Sequence, residues 1–170
     1  IFRVIFLAIA VCLGATQALA DVRNVRVVGN GAPTRITIWT DTAQDPRAYM
    51  VEGAAGRSVV LPLRGPASER SGTGMGGVPE WMVTGSELRF SLDRPLMVTR
   101  VLTLPPTGTA TEHRVIIALD TVSDARFASV ARRDMRQLAR ALTARNEAGR
   151  PRPAARSALR RCRHDWAAAE

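Results

Sequence analysis

Alternation of apolar and polar positions dominates the chain from residue 22 to residue 120, and then stops. In TRITIWT (34–40), Ile36, Ile38 and Thr40 fall on one side, with Arg35, Thr37 and Trp39 on the other, as the two-residue period of a strand requires. SELRFSLD (86–93) repeats this with Leu88, Phe90 and Leu92. VRNVRVV (22–28) alternates at Val25 and Val27, while Val22 and Val28 do not fit that phase. RAYMVEG (47–53), RSVVLPL (57–63), LMVTRVLTL (96–104) and HRVIIAL (113–119) read as further strands. GNGAP (29–33), GAAG (53–56) and PPTGTATE (105–112) are turns by composition, since Gly and Asn tolerate positive φ and Pro cannot continue a ladder. RGPASERSGTGMGGVPE (64–80) has few apolar residues and is expected to be a long flexible connection.

The pattern is written twice. Ile36, Ile38, Thr40 and Asp41 align with Leu88, Phe90, Leu92 and Asp93 at an offset of 52 residues, and Val59, Val60, Leu61 and Leu63 align with Val115, Ile116, Ile117 and Leu119 at an offset of 56. Each half runs from an alternating strand through an Asp and a nearby Pro, Pro46 or Pro95, to a β-branched strand, a turn and a closing apolar strand. Neither half is long enough to bury an apolar face alone. Two similar units folded face to face are therefore expected: an all-β domain, a small β-sandwich over residues 21–120.

After Asp120 the period changes. SDARFASVARRDMRQLARALTARNEAG (123–149) is rich in helix formers, with Ser123 or Asp124 as N-cap and Gly149 as a stop. Phe127, Val130, Ala131, Leu138 and Leu142 share one face at helical spacing, with Arg132, Arg133, Arg136 and Arg140 around the rest. Residues 150–170 start with prolines and lack a pattern, so 121–170 reads as an Arg-rich helix followed by a disordered tail or linker.

The first twenty residues, IFRVIFLAIAVCLGATQALA, combine an early Arg, an apolar run from Val4 to Leu13 and a small-x-small site at Ala18–Ala20. This is the pattern of a secretory signal peptide cleaved after Ala20, and the apolar run is too short for a permanent span. A lipoprotein signal ending at Cys12 would want a small residue where Val11 stands. Removal of residues 1–20 leaves Cys162 alone, so no internal disulfide is expected. No later segment is apolar enough to cross a bilayer, so an exported protein is expected.

Charge refines the partner classes. The formal net charge is +9, but residues 21–120 carry 11 Arg against 10 acids, whereas residues 121–170 carry 12 Arg against 5. The basic tail alone would attract nucleic acid or anionic lipid. Behind a signal peptide nucleic acid is excluded as a partner, and a membrane-surface helix would need bulkier apolar residues. A solvated linker is the plainer reading.

VRNVRVVGNGAPTRITIWTD, YMVEGAAGRSVVLPL and LRFSLDRPLMVTRVLTLPPTGTATEHRVIIALD together resemble the AMIN domain, the non-catalytic amino-terminal module of periplasmic N-acetylmuramoyl-L-alanine amidases, which also occurs in outer-membrane secretins. The resemblance covers roughly residues 22–120. It implies a two-sheet β domain that binds peptidoglycan and positions an attached zinc-dependent cell-wall hydrolase, or alternatively a module that docks on envelope or division proteins. The catalytic opening of such amidases, a strand followed by a glycine-rich turn carrying a His, does not appear. Only His113 and His164 are available, against the three protein ligands and a base that a hydrolytic zinc site needs. The expectation is a chain with no catalytic residues, no metal and no cofactor, either a truncated or fragmentary zinc-dependent amidase or a free-standing AMIN protein.

Trp39, Arg47, Tyr49 and Trp81 are the residues expected to meet peptidoglycan on this reading. An exposed indole at Trp39 is a platform for sugar rings, and Arg47 beside Tyr49 suits carboxylates. The plainer alternatives are that Trp39 packs, that Trp81 plugs one end of the sandwich, and that Arg47 and Tyr49 lie on a solvated strand face. Asp41 and Asp93 occupy matching places in the two halves, where an Asp ahead of a Pro-containing turn satisfies local backbone donors.

Overall fold

The computed structural model describes residues 21–29, 33–45 and 47–148. The signal stretch with its cleavage after Ala20, Pro46, the helix stop at Gly149, and the tail with Cys162 and His164 lie outside the described residues. The elements are β1 (Val22–Val28), β2 (Thr34–Thr40), β3 (Tyr49–Gly53), β4 (Gly56–Pro62), β5 (Arg70–Thr73), β6 (Glu80–Thr84), β7 (Glu87–Leu92), β8 (Leu96–Leu104), β9 (His113–Thr121) and α1 (Asp124–Ala148). All strand pairs are antiparallel. They form a four-stranded sheet, β1-β2-β9-β8, and a five-stranded sheet, β3-β4-β7-β6-β5.

The repeat appears in the strand order. Exchanging β1 with β6, β2 with β7, β3 with β8 and β4 with β9 turns one sheet into the other, β5 being an addition. The register obeys the same exchange. Ile36 faces Ile117 and Ile38 faces Val115 in the four-stranded sheet, while Leu88 faces Leu61 and Phe90 faces Val59 in the five-stranded one. The two halves therefore do not fold as separate units set face to face, as the sequence suggested. Each half gives one hairpin to each sheet. The physical reason is that this exchange places the most apolar strands, β2, β9, β4 and β7, in central positions with neighbours on both sides. Their inward residues Ile36, Ile38, Val59, Leu61, Leu88, Phe90, Val115 and Ile117 are at most 1% exposed and form the core.

The irregular phase of β1 has a local cause. The β1–β2 register shifts between Val22 and Asn24, and such a bulge inserts one residue and resets the alternation. Val22 thereby joins Val25 and Val27 against the core, whereas Val28 points outward.

The Gly- and Ser-rich connection is not a flexible link. Its residues Arg70–Thr73 form β5 on β6, and Gly72 lies opposite Trp81. A Cβ on Gly72 would stand 2.6 Å from the Trp81 ring, so the missing side chain is what admits the indole. Arg70 donates to the carbonyls of Val22 and Arg23 at 2.6 and 2.8 Å, and the Thr34 hydroxyl donates to the Gly76 carbonyl. Gly76 and Gly77 take φ of +64° and +94°, which a side chain would resist. Val78 behind them is fully buried.

Helix α1 packs on the sandwich instead of standing off as a linker. Its N-terminus is capped by Ser123, whose hydroxyl accepts from Arg126 N–H at 3.3 Å. Phe127 and Ala131 enter the main core, and Leu138 with Leu142 packs on Tyr49 and Val60. Arg57 fixes the first turn: it pairs with Asp124 and lies 5.5 Å from the Phe127 ring centroid. Asp134 is buried and accepts the backbone N–H of Met50 at 3.1 Å. β3 is an edge strand, and α1 thus covers the edge that would otherwise be open to pairing.

Candidate functional site

Residues directly opposite one another in an antiparallel pair share a face. The register therefore lays out the outer surface of the four-stranded sheet in three rows: Asn24–Trp39–Arg114–Leu104, Arg26–Thr37–Ile116–Leu102, and Val28–Arg35–Ala118–Arg100. Arg26, Arg35 and Arg114 surround a groove of about 510 Å³ whose lining also includes Thr37, Ile116 and, at one end, Trp39. Val28, Leu102 and Leu104 on the same face are 46%, 40% and 36% exposed. No described element packs over this surface; α1 packs chiefly against β3, at the edge of the other sheet.

The electrostatics of the face are unbalanced. Among the described residues, Arg26, Arg35, Arg100 and Arg114 have no carboxylate within ion-pair distance. Arg114 Nε is shut off from solvent and has no hydrogen-bond partner there, an arrangement that costs free energy unless something accepts from the guanidinium. Arg23, one turn of the sheet away, shows the ordinary solution. Its Nε donates to Asp41 at 2.6 Å, and that hydrogen bond raises its pKa above the usual value.

The internal symmetry supplies a comparison within the same molecule. On the five-stranded sheet the corresponding rows carry Glu80, Ser91, Ser58 and Val51, then Met82, Arg89, Val60 and Tyr49, then Thr84, Glu87 and Pro62. Ser91 stands where Trp39 does, Ser58 where Arg114 does, and Glu87 where Arg35 does. The one arginine of these rows, Arg89, is satisfied by Ser58 at 3.0 Å and by Glu87 at 3.6 Å. Val60 and Tyr49 are covered by Leu138. One outer face is thus neutralised and partly roofed, and among the described residues its counterpart is cationic and uncovered.

The four residues singled out from the sequence are not brought together. Trp39 is half-buried and lines the groove. Arg47 is exposed beside a small hollow that it shares with Asp45, Tyr49, Pro62 and Ala141. Tyr49, expected to meet peptidoglycan or, on the plainer reading, to lie on a solvated strand face, is 5% exposed because α1 lies over it. Trp81 is 9% exposed and belongs to the core. Arg26, Arg35 and Arg114 were missed. Their proximity depends on the pairing of β2 with β9, and the only local signal was Arg at outward positions of alternating strands.

The matched Asp41 and Asp93 form no shared site. Asp41 binds Arg23, while Asp93 is exposed and its own N–H donates to the Gly77 carbonyl at 3.1 Å. Among the described residues no group of three or more His, Cys, Asp or Glu side chains is placed to hold a metal, and no helix is long and apolar enough to cross a membrane. No protein-family model, curated protein or solved structure matches this chain.

Proposed function

We propose that the chain is a non-catalytic, AMIN-like peptidoglycan-binding module of the kind that targets N-acetylmuramoyl-L-alanine amidases to the cell wall in the periplasm, and that the outer face of the four-stranded sheet is its contact surface. The observation that carries this reading is the contrast between the two outer faces. Four arginines without a carboxylate partner among the described residues, and an indole, occupy one, whereas on the other the one arginine is neutralised. An extended, shallow surface of this kind suits a polymer contacted at many points, and Trp39 offers an apolar plane for a sugar ring.

The test is co-sedimentation of the full chain with purified sacculi, comparing wild type with Trp39→Ala and with Arg26→Gln. Wild type is expected to pellet and both variants to pellet less. A wild-type chain that stays in the supernatant overturns the reading. A second reading, docking on another envelope protein, is favoured by one observation: β8 is a nine-residue edge strand with a neighbour on one side only, and a partner strand can add to such an edge.

A further inference from the structure

We infer that the groove between Arg26, Arg35 and Arg114 recognises carboxylates, so that on the wall-binding reading the ligand is the acidic stem peptide and not the neutral glycan backbone. The inference rests on that reading and narrows it to one chemical component of the wall.

Three features carry it. The first is the kind of cation. All 24 basic residues of the chain are Arg, so a guanidinium is the only cation it could place around the groove, and its planar fork can donate two parallel N–H bonds to a carboxylate. The second is their placement. Arg26 and Arg114 lie on β1 and β9 with β2 between them, hence about 10 Å apart across the sheet. Along the strands the three occupy successive rows, Arg114, then Arg26, then Arg35, each row about 7 Å from the last. A groove with cationic anchors this far apart has room for a peptide bearing more than one carboxylate, each meeting a different guanidinium. The third is what lies between them. Thr37 and Ile116 share one row, with no acid in the groove lining, so Ile116 can meet the aliphatic side chains of a peptide and the Thr37 hydroxyl its backbone amides, while its carboxylates meet the guanidiniums.

The symmetry-related face gives a built-in control. Arg89 already has Ser58 and Glu87 as partners, so the inference assigns it no role in binding.

The experiment uses the full chain and three forms of one sacculus preparation: untreated, with carboxyl groups amidated by carbodiimide and ammonia, and as glycan strands stripped of stem peptides and then amidated in the same way at the lactyl carboxylates that stripping exposes. The soluble fraction is measured against sacculus concentration for wild type, Arg35→Gln, Arg114→Gln and Arg89→Gln. Amidation or stripping is expected to weaken binding of wild type by about tenfold or more, as loss of charge-assisted hydrogen bonds implies. Arg35→Gln and Arg114→Gln should each lose affinity for untreated sacculi and lose less than wild type does on amidation, since one of the carboxylate contacts is already gone. Arg89→Gln should behave as wild type. Thermal midpoints of the three variants show whether each is folded.

Equal binding to untreated and amidated sacculi overturns the carboxylate inference and leaves wall binding standing. Retained binding to stripped glycan does the same and assigns the groove to sugar. Absence of binding to untreated sacculi removes both. Flotation with phosphatidylglycerol vesicles in that last case marks the face as a lipid surface.

Discussion

Replacing Asp134 by Ala should destabilise the domain by about 1–3 kcal/mol, the cost of stranding a buried donor. The donor is the backbone N–H of Met50 on the edge of β3, which reaches Asp134 Oδ2 at 3.1 Å. Met50 is 1% exposed, so water has no direct access to replace the lost acceptor. The neighbouring contact from Arg133 Nε, 3.5 Å from Oδ1 on a side chain that is 63% exposed, adds little by comparison. Burial of a carboxylate itself opposes folding, which places the expected loss nearer the low end of the range. For a folded region of this size, roughly 3–6 °C of midpoint accompanies each kcal/mol. Thermal unfolding should therefore show a drop of roughly 5–10 °C for Asp134→Ala. Asp134→Asn keeps an acceptor oxygen and should lose less than half as much, whereas Asp134→Leu fills the space without accepting and should resemble Ala. Hydrogen exchange at the Met50 amide should accelerate in Ala and Leu but not in Asn. An Ala variant within about 0.5 kcal/mol of wild type, or an Asn variant as unstable as Ala, would refute the idea that α1 is held to β3 by this bond.

Further substitutions probe other joints of the fold. Phe127→Ala removes a fully buried ring from the core and should cost about 3–5 kcal/mol in chemical denaturation. Gly72→Val puts a side chain where even a Cβ lies 2.6 Å from the Trp81 ring; overpacking predicts a loss of about 1–3 kcal/mol, visible as a shift in tryptophan fluorescence and a lower denaturant midpoint. Ser123→Ala deletes the α1 cap and should cost about 1 kcal/mol, with thermal unfolding followed by circular dichroism as the check.

The strands with clean alternation were legible from the sequence because each has one apolar face: Ile36 and Ile38 in β2, and Leu88 and Phe90 in β7, point inward as the period predicts. β5 was not legible, since RSGT carries no apolar face and its partner relation depends on Trp81 lying over Gly72. The repeat was visible as spacing, but the exchange of hairpins between sheets was not, because periodicity states which side of a strand is buried and not which strand lies beside it. Tyr49 was placed on an open face because nothing within β3 announces that Leu138, far along the chain, returns to cover it. Asp134 looked like one acid among many arginines on a helix, and only the docking of α1 makes it a buried acceptor. For the candidate site, Trp39 was readable from its own strand, whereas Arg114 reaches Trp39 through a pairing between distant segments.

The exchange of hairpins also sets a timetable for folding. The central pair of the five-stranded sheet joins Leu61 to Leu88, whereas that of the four-stranded sheet joins Ile36 to Ile117, a much longer loop to close. All strands of the five-stranded sheet have been synthesised by Leu92, but β2 must wait for β9, which ends at Thr121. Until then the β1–β2 hairpin has Ile36 and Ile38 to hide and an open edge on β2. Insertion of β9 between β2 and β8 closes both problems in one step. The species most prone to aggregate is accordingly a nascent chain with one finished sheet and an unclosed β2 edge, and substitutions in β9 that slow its insertion should lower the yield of folded protein more than their effect on final stability accounts for.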